Sequence, residues 1–278
     1  YTFKLSYQLN DAATIYGGVS TGYKATAWNI SRDSLPDATE TLALAAAGTP
    51  VGPNTGLGKR YADPEESEVL EIGAKILLPT GYLNIAVFDQ KIEGFQSNTF
   101  VGTGFILANA GSQSTDGYEF DLVMSPTESI DLAISGLFMD PIYDSFPNSS
   151  AGDLSGTMPS NISEDTISST VTWNWNLNNW DGYVRLSHLY SSEAKLLENP
   201  AWQAILESAG NGIKTQDTLN ISAGIEKENL SIMFWGKNIN DDEYLISAFP
   251  AVADPTFTTF FGYPNAYSSY GLTLNYMF

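Results

Sequence analysis

Cysteine is absent from the 278 residues, histidine occurs once, and lysine and arginine together number only 12. Without cysteine there are no disulfides, no thiolate metal sites and no cysteine nucleophiles. The single histidine, His188, supplies neither a metal cluster nor a haem ligand pair, and no Ser-His-Asp arrangement is defensible around it. A lone axial ligand is the one metal role left open to it. No metal, cofactor or catalytic residue is therefore expected, and the chain is read as not an enzyme. Charged residues make up 16% of the chain, well below the usual quarter. Most are acidic: 32 Asp and Glu give a net charge of −20. That balance argues against nucleic acid, which needs clustered Lys and Arg to displace counterions, and against docking on an anionic membrane surface. Long apolar runs are missing too. Mean hydropathy is −0.12, and no stretch approaches the roughly 20 apolar residues of a spanning helix.

Glycine (24), tyrosine (15) and phenylalanine (14) are plentiful instead. Neutral polar groups, aromatics and glycines together suit a transmembrane β-barrel, with a polar lumen, aromatic rims and glycine where strands crowd. The last residues, AYSSYGLTLNYMF, show the pattern plainly. Tyr270, Leu272, Leu274, Tyr276 and Phe278 fall on one face of a strand. Ser269, Gly271, Thr273 and Asn275 fall on the other, which is polar or small apart from Met277. Period two says only that the two faces meet different media. Its recurrence about eleven times carries the argument. Leu70, Ile72, Ala74, Ile76 and Leu78 repeat it, as do Leu83, Ile85 and Val87. So do Tyr118, Phe120, Leu122 and Met124; Ile130, Leu132, Ile134 and Phe138; and Leu219, Ile221, Ala223 and Ile225.

Short turns follow the odd-numbered strands, for example Asn10-Asp11, Pro79-Thr80-Gly81 and Asn178-Asn179. Long loops follow the even-numbered ones: residues 25–66, 96–111, 141–163, 191–216 and 237–265. Most strands have the roughly 9–11 residues a tilted crossing needs. Trp173, Trp175, Trp180 and Tyr82 sit near the short-turn end, where an aromatic girdle is expected. The loops predict two short helices, one over Asp37–Ala47 capped by Asp37, and one starting at Asn199 with Pro200 at its first position. Eleven is an odd number, whereas bacterial single-chain barrels have even ones. An uncovered edge in lipid leaves backbone groups unsatisfied at several kcal/mol each. More strands, and the export signal that any barrel protein requires, are accordingly expected upstream of Tyr1.

Binding residues concentrate on loops over a rigid scaffold. The loop aromatics Trp28, Tyr61, Phe95, Phe100, Phe105, Phe146, Trp202, Phe257, Phe260, Phe261 and Tyr263 are candidates for stacking on a ligand. Loop packing and rim anchoring explain the same residues equally well. Cations are scarce in the loops (Arg32, Lys59, Arg60, Lys195, Lys214 and Lys237), which disfavours a strongly anionic ligand. Inward Glu71, Lys75, Glu119 and Asp121 are expected to pair with one another or with a lumen domain.

Four stretches, in order along the whole chain, resemble the carboxy-terminal half of TonB-dependent outer-membrane receptors. They are Gly22-Tyr23-Lys24-Ala25; Pro64-Glu65-Glu66-Ser67-Glu68 through Gly73 to Lys75; Asn109-Ala110-Gly111 with Thr115 to Asp121; and Gly236-Lys237-Asn238-Ile239-Asn240-Asp241-Asp242-Glu243-Tyr244. The aromatic Tyr276-Met277-Phe278 end completes the set. The resemblance implies a 22-stranded barrel filled by an amino-terminal plug. Residues 1–278 would then form its last eleven strands, and plug and first barrel half are expected to precede them. It further implies uptake of an iron chelate, cobalamin, haem or an oligosaccharide across the cell outer membrane. Implied partners are the TonB complex acting through the plug, the barrel insertion machinery reading Phe278 as an assembly signal, and surrounding lipid and lipopolysaccharide. A passive porin or an adhesion scaffold is the competing class.

Overall fold

The structure, a computed structural model, describes residues 1–30, 61–101, 104–109, 111–147, 149, 151–251, 254 and 258–278. The strands, in chain order, are β1 (Thr2–Asn10), β2 (Ala13–Lys24), β3 (Ala27–Trp28), β4 (Tyr61–Ala62), β5 (Glu65–Leu78), β6 (Gly81–Glu93), β7 (Gln96–Val101), β8 (Gly104–Asn109), β9 (Ser112–Thr127), β10 (Ile130–Ser145), β11 (Asp165–Leu177), β12 (Trp180–Lys195), β13 (Ile213–Lys227), β14 (Leu230–Lys237), β15 (Leu245–Pro250), β16 (Phe260–Pro264) and β17 (Ser269–Tyr276). The helix α1 (Pro200–Ser208) lies between β12 and β13. Among the described residues, eleven strands form one antiparallel sheet in the order β1-β2-β5-β6-β9-β10-β11-β12-β13-β14-β17. Three two-stranded hairpins, β3-β4, β7-β8 and β15-β16, stand apart from it. The expected loop helix at Asp37–Ala47 lies outside the described residues.

Two residues link each short-turn pair, and the turn chemistry matches that geometry. Asn178 and Asn179 both take positive φ, 52° and 64°, as the hairpin turn whose twist suits flanking strands requires. Asn10 closes the first turn by accepting from the Ala12 amide at 2.8 Å. The third turn falls at Glu128-Ser129, because β9 runs through Thr127.

Register carries the apolar parity across the whole sheet. Leu5 faces Gly17, Gly17 faces Ile72, Ile72 faces Val87, and Val87 faces Tyr118, which faces Phe138. Leu186 faces Ile221, and Phe234 faces Leu272. This belt is largely exposed: Phe3, Ile72, Leu272 and Leu274 are all more than half accessible. A continuous exposed apolar surface on one side of a sheet is a lipid face. At the long-loop end the belt stops at an acidic rung, Asp89 facing Asp116 and Asp116 facing Asp140. At the short-turn end Trp173 and Trp175 pack 5.0 Å apart, with Trp180 opposite Leu177. Tyr82 does not join this girdle. Its parity turns it to the other face, toward the Asp121 carboxylate.

The long-loop side holds more regular structure than period-two reading foresaw. β10 continues through Pro141 to Ser145, β12 runs on to Lys195, and β13 starts at Ile213. Pro141 is tolerated there because β11 pairs with β10 only as far as Phe138, so one edge of β10 is outside the ladder at this position. Glycines allow close approach where rings lie over the backbone. A Cβ on Gly73 would sit 2.6 Å from the Tyr16 ring and 2.7 Å from the Ile85 carbonyl.

Candidate functional site

Two regions carry the polar and aromatic residues singled out above: the inward face of the sheet and the layer of loops over its long-loop end. On the inward face, a cavity is lined by residues of β2, β6, β9, β10 and β11, among them Tyr16, Asn84, Glu119, Asp121, Ser135 and Ser168. Register explains the gathering. Tyr16 faces Gly73, Gly73 faces Ala86, and Ala86 faces Glu119. One rung lower, Lys75 faces Asn84, which faces Asp121. The Tyr16 hydroxyl lies against the Glu71 carboxylate, with Glu119 beyond, and the Lys75 ammonium stands 5.9 Å over the Tyr16 ring. Among the described residues, Glu71, Lys75, Glu119 and Asp121 form no ion pair with one another. Tyr16, which the sequence reading missed, is the hub shared by Glu71, Lys75 and Glu119, whereas Asp121 lies against Tyr82. Three carboxylates and one ammonium on a concave, partly covered wall leave polar capacity facing the lumen.

The loop layer rests on three tethers. The first is an apolar cluster of Tyr143, Phe146 and Leu154, with Phe95 and Ala151 packed on it. Tyr143 meets Phe146 edge-on at 5.1 Å and donates its hydroxyl to Glu198 at 2.9 Å. The Ser160 amide donates to the same carboxylate oxygen at 3.1 Å. Tyr143 lies beyond the lipid belt, in the loop layer, and burial pushes its phenol well above the ordinary range, with the Glu198 charge as a second cause. The second tether is α1, capped by Asn199, whose side chain accepts from the Ala201 and Trp202 amides. Asn199 and Pro200 start the helix as expected. Leu206 of this helix packs with Leu196 and Ala248, and with Leu245 and Phe260.

The third tether is the Asn238–Asp242 stretch. Asn238 takes φ 49°, a conformation asparagine tolerates. Its amide nitrogen donates to the carbonyls of Asp242 and Ala266 at 2.9 and 3.0 Å, and its oxygen accepts from the Asp242 amide at 2.8 Å. The Asp242 carboxylate in turn accepts from the Asp217 amide and the Thr218 hydroxyl. Asn265 closes the knot, accepting from Tyr244 and donating to Asp242. A similar clasp joins the Pro64 and Asn109 stretches. Asn109 accepts from the Asp63 amide and donates to the carbonyls of Asp63 and Gly94. Glu65 accepts from the Gln96 amide and pairs with Lys24. These motif residues hold loops to strand ends.

The candidate loop aromatics do not form one constellation. Trp28 and Tyr61 pair on the β3-β4 hairpin at 5.1 Å. Phe95 and Phe146 belong to the Tyr143 cluster. Phe100 and Phe105 face each other across β7-β8. Trp202 lies in the first turn of α1. Phe257 lies outside the described residues. Phe260 and Phe261 part company, because neighbouring residues of a strand point to opposite faces. Phe260 packs toward α1, whereas Phe261 and Tyr263 share the open face with Phe249, each ring 5.6 Å from Phe249. Phe249 was not among the candidates; its pairing opposite Phe261 marks it once the hairpin is known. His188 points outward opposite Leu219, its ring nitrogen 2.5 Å from Asp217. Phe278 stands fully exposed, edge-on to Tyr276 at 5.1 Å.

Comparison with solved structures gives the same sheet in larger barrels. The ferric yersiniabactin uptake receptor FyuA from Yersinia pestis aligns over 99% of this chain at 16% identity, with a TM-score of 0.72. The siderophore receptor PiuA from Acinetobacter baumannii aligns over 99% at 15% identity and 0.65. The ferric-catecholate import receptor Fiu from Escherichia coli K12 aligns over 100% at 15% and 0.64. The chain spans about a third of the length of these proteins: 36%, 35% and 34% respectively. At such identities the likeness is one of fold. A search of curated proteins gave no match. Residues 1–239 match the family described as TonB dependent receptor-like, beta-barrel, and the chain accordingly belongs to this family of outer-membrane β-barrels.

Proposed function

We propose that the chain is the carboxy-terminal wall of a TonB-dependent receptor that takes up a ferric chelate across the outer membrane. Family membership over residues 1–239 is the observation that carries this reading. The iron preference draws on the similar folds of receptors for ferric yersiniabactin and ferric catecholates. In this reading the plug and the other strands belong to the rest of the protein, and the open edges of β1 and β17, which further strands could cover, support it. Ligand would settle on the loop layer and plug, the loops would close over it, and TonB would remodel the plug to release it inward. The Tyr16–Glu71–Lys75–Glu119 wall faces the plug in this scheme. The process is gated transport, without bond-making at the site.

The test is uptake of radiolabelled iron, supplied as mixed chelates from iron-starved culture medium, by cells with and without the gene. The expected result is uptake that needs both this gene and TonB, falling by at least about tenfold when either is removed, the scale on which energised import exceeds leak. Uptake that persists without TonB contradicts the proposal and favours a passive barrel.

A further inference from the structure

The inward face of the sheet has two unlike sides. On β5 and β9 it carries Glu71, Lys75, Glu119 and Asp121, which, among the described residues, form no ion pair with one another. On β11, β12 and β13, three successive rungs read Thr166–Ser191–Gln216, Ser168–Leu189–Thr218 and Thr170–Ser187–Asn220. None of these residues is charged, and all but Leu189 are hydroxyls or amides. β10 continues the rungs with Leu137, Ser135 and Ala133, again without charge. Below them Arg185 faces Thr172, donates to its hydroxyl at 3.1 Å and lies over the Tyr183 ring at 5.7 Å. The stripe then opens into a second cavity at the short-turn end, lined among others by Asn174, Tyr183, Gly224, Ser231 and Asn275. The neutral groups also bond within the wall. The Thr166 hydroxyl donates to Ser191 at 3.4 Å, the Thr170 hydroxyl to Ser187 at 3.2 Å, and the Gln216 amide to Thr218 at 3.4 Å.

Resting on the reading of chelate uptake, we propose that the β11–β13 wall is the side on which the plug parts from the barrel, and that the hydrated solute descends along it. The two sides hold a lumen domain by different chemistry. Charges enclosed against protein need partners of opposite sign, and separating such a pair leaves an uncompensated charge. Short hydroxyls and amides exchange a protein partner for water at little net cost, and here several already have partners within the wall. A pull on the plug therefore opens the neutral side first. The opened surface offers hydrogen bonds to a polar solute along three rungs without a fixed charge to trap it, and leads to the cavity at the short-turn end.

The experiment uses the full-length receptor in cells. Residues 1–278 contain no cysteine, so single cysteines report on the wall once any in the rest of the protein are replaced by serine. Thr170→Cys and Ser187→Cys mark the neutral side; Asn84→Cys, between Lys75 and Asp121, marks the charged side. A membrane-impermeant maleimide is added outside while iron is supplied as mixed chelates from iron-starved culture medium. Labelling at Thr170→Cys and Ser187→Cys is expected to rise at least about tenfold when chelate and TonB are both present, and labelling at Asn84→Cys to stay level, because neutral contacts yield before charged ones. A bulky maleimide fixed at Ser187→Cys is then expected to stop uptake although the assembled receptor remains. Labelling that rises on the charged side instead, rises equally on both, or stays flat during TonB-dependent uptake overturns the proposal. So does uptake undiminished by the bulky label. Uptake is measured in the same cells, so these failures are distinct from uptake that needs no TonB, which overturns the uptake reading itself.

Discussion

Tyr143 and Asn238 show how much single residues hold in the loop layer. The Tyr143 phenol is raised above its ordinary value of 10.0 by burial and then by Glu198. The fold thus favours the neutral phenol, and that contribution is fully present below about pH 10 and is lost as the pH climbs above it. Proteolytic nicking of the 145–165 loop should rise steeply above pH 10 in the wild type. Tyr143→Phe, which cannot ionise, should lose that alkaline step; a step of unchanged size would contradict the assignment. Asn238 is buried and satisfies two carbonyls and one amide. Asn238→Ala should destabilise the assembled receptor by at least about 1–3 kcal/mol, the cost of leaving a buried polar group unpaired, as read by chemical denaturation in detergent. At this scale the sequence was only partly legible. Spacing marked Asn238 and Asn109 as members of motifs, but the backbone groups they satisfy come from segments up to 46 residues away, and no local pattern encodes that.

Among the elements, the strands of the sheet were the readable part. Lipid imposes period two on every crossing, so Leu70, Ile72 and Ala74 in β5 or Tyr270, Leu272 and Leu274 in β17 announce their face without help from neighbours. The hairpins β7-β8 and β15-β16 were missed because they stand in the loop layer, where each face meets packing or water locally and the alternation is short. Phe260 and Phe261 illustrate the loss. Read as a cluster they suggest a ligand site, but adjacency in a strand separates them, and the open face gains Phe249 from the partner strand instead. The lipid face yields a direct test. Leu122 points outward between Leu83 and Ile134, while Val123 points inward between Tyr82 and Ala133. Leu122→Arg should cost about 2–4 kcal/mol if it lies near the bilayer midplane and reduce heat-modifiable, assembled receptor in outer-membrane fractions. Val123→Arg, facing Asp121 and water, should reduce it far less. Equal losses would mean that the two faces are misassigned.

At the scale of the molecule, the sheet has two ends. β1 pairs with β2 alone and β17 with β14 alone, and all of Thr2 to Asn10 is exposed. Free edges in hydrocarbon are untenable, and the proposed receptor has further strands cover both. The alternating short turns and long loops fixed the sidedness of the sheet from sequence alone. The odd strand count raised the expectation of further strands outside residues 1–278, because an odd sheet with an apolar outer face cannot close by even pairing. The place of Tyr16 was not legible: it meets Glu71 and Glu119 only through register. The most direct measurement is electron cryomicroscopy of the full-length receptor in a lipid nanodisc. The account predicts that β1 and β17 are each hydrogen-bonded to strands outside this stretch in one closed barrel, with a plug against the Tyr16 wall. A barrel closed by pairing β1 with β17, or an empty lumen, would contradict it.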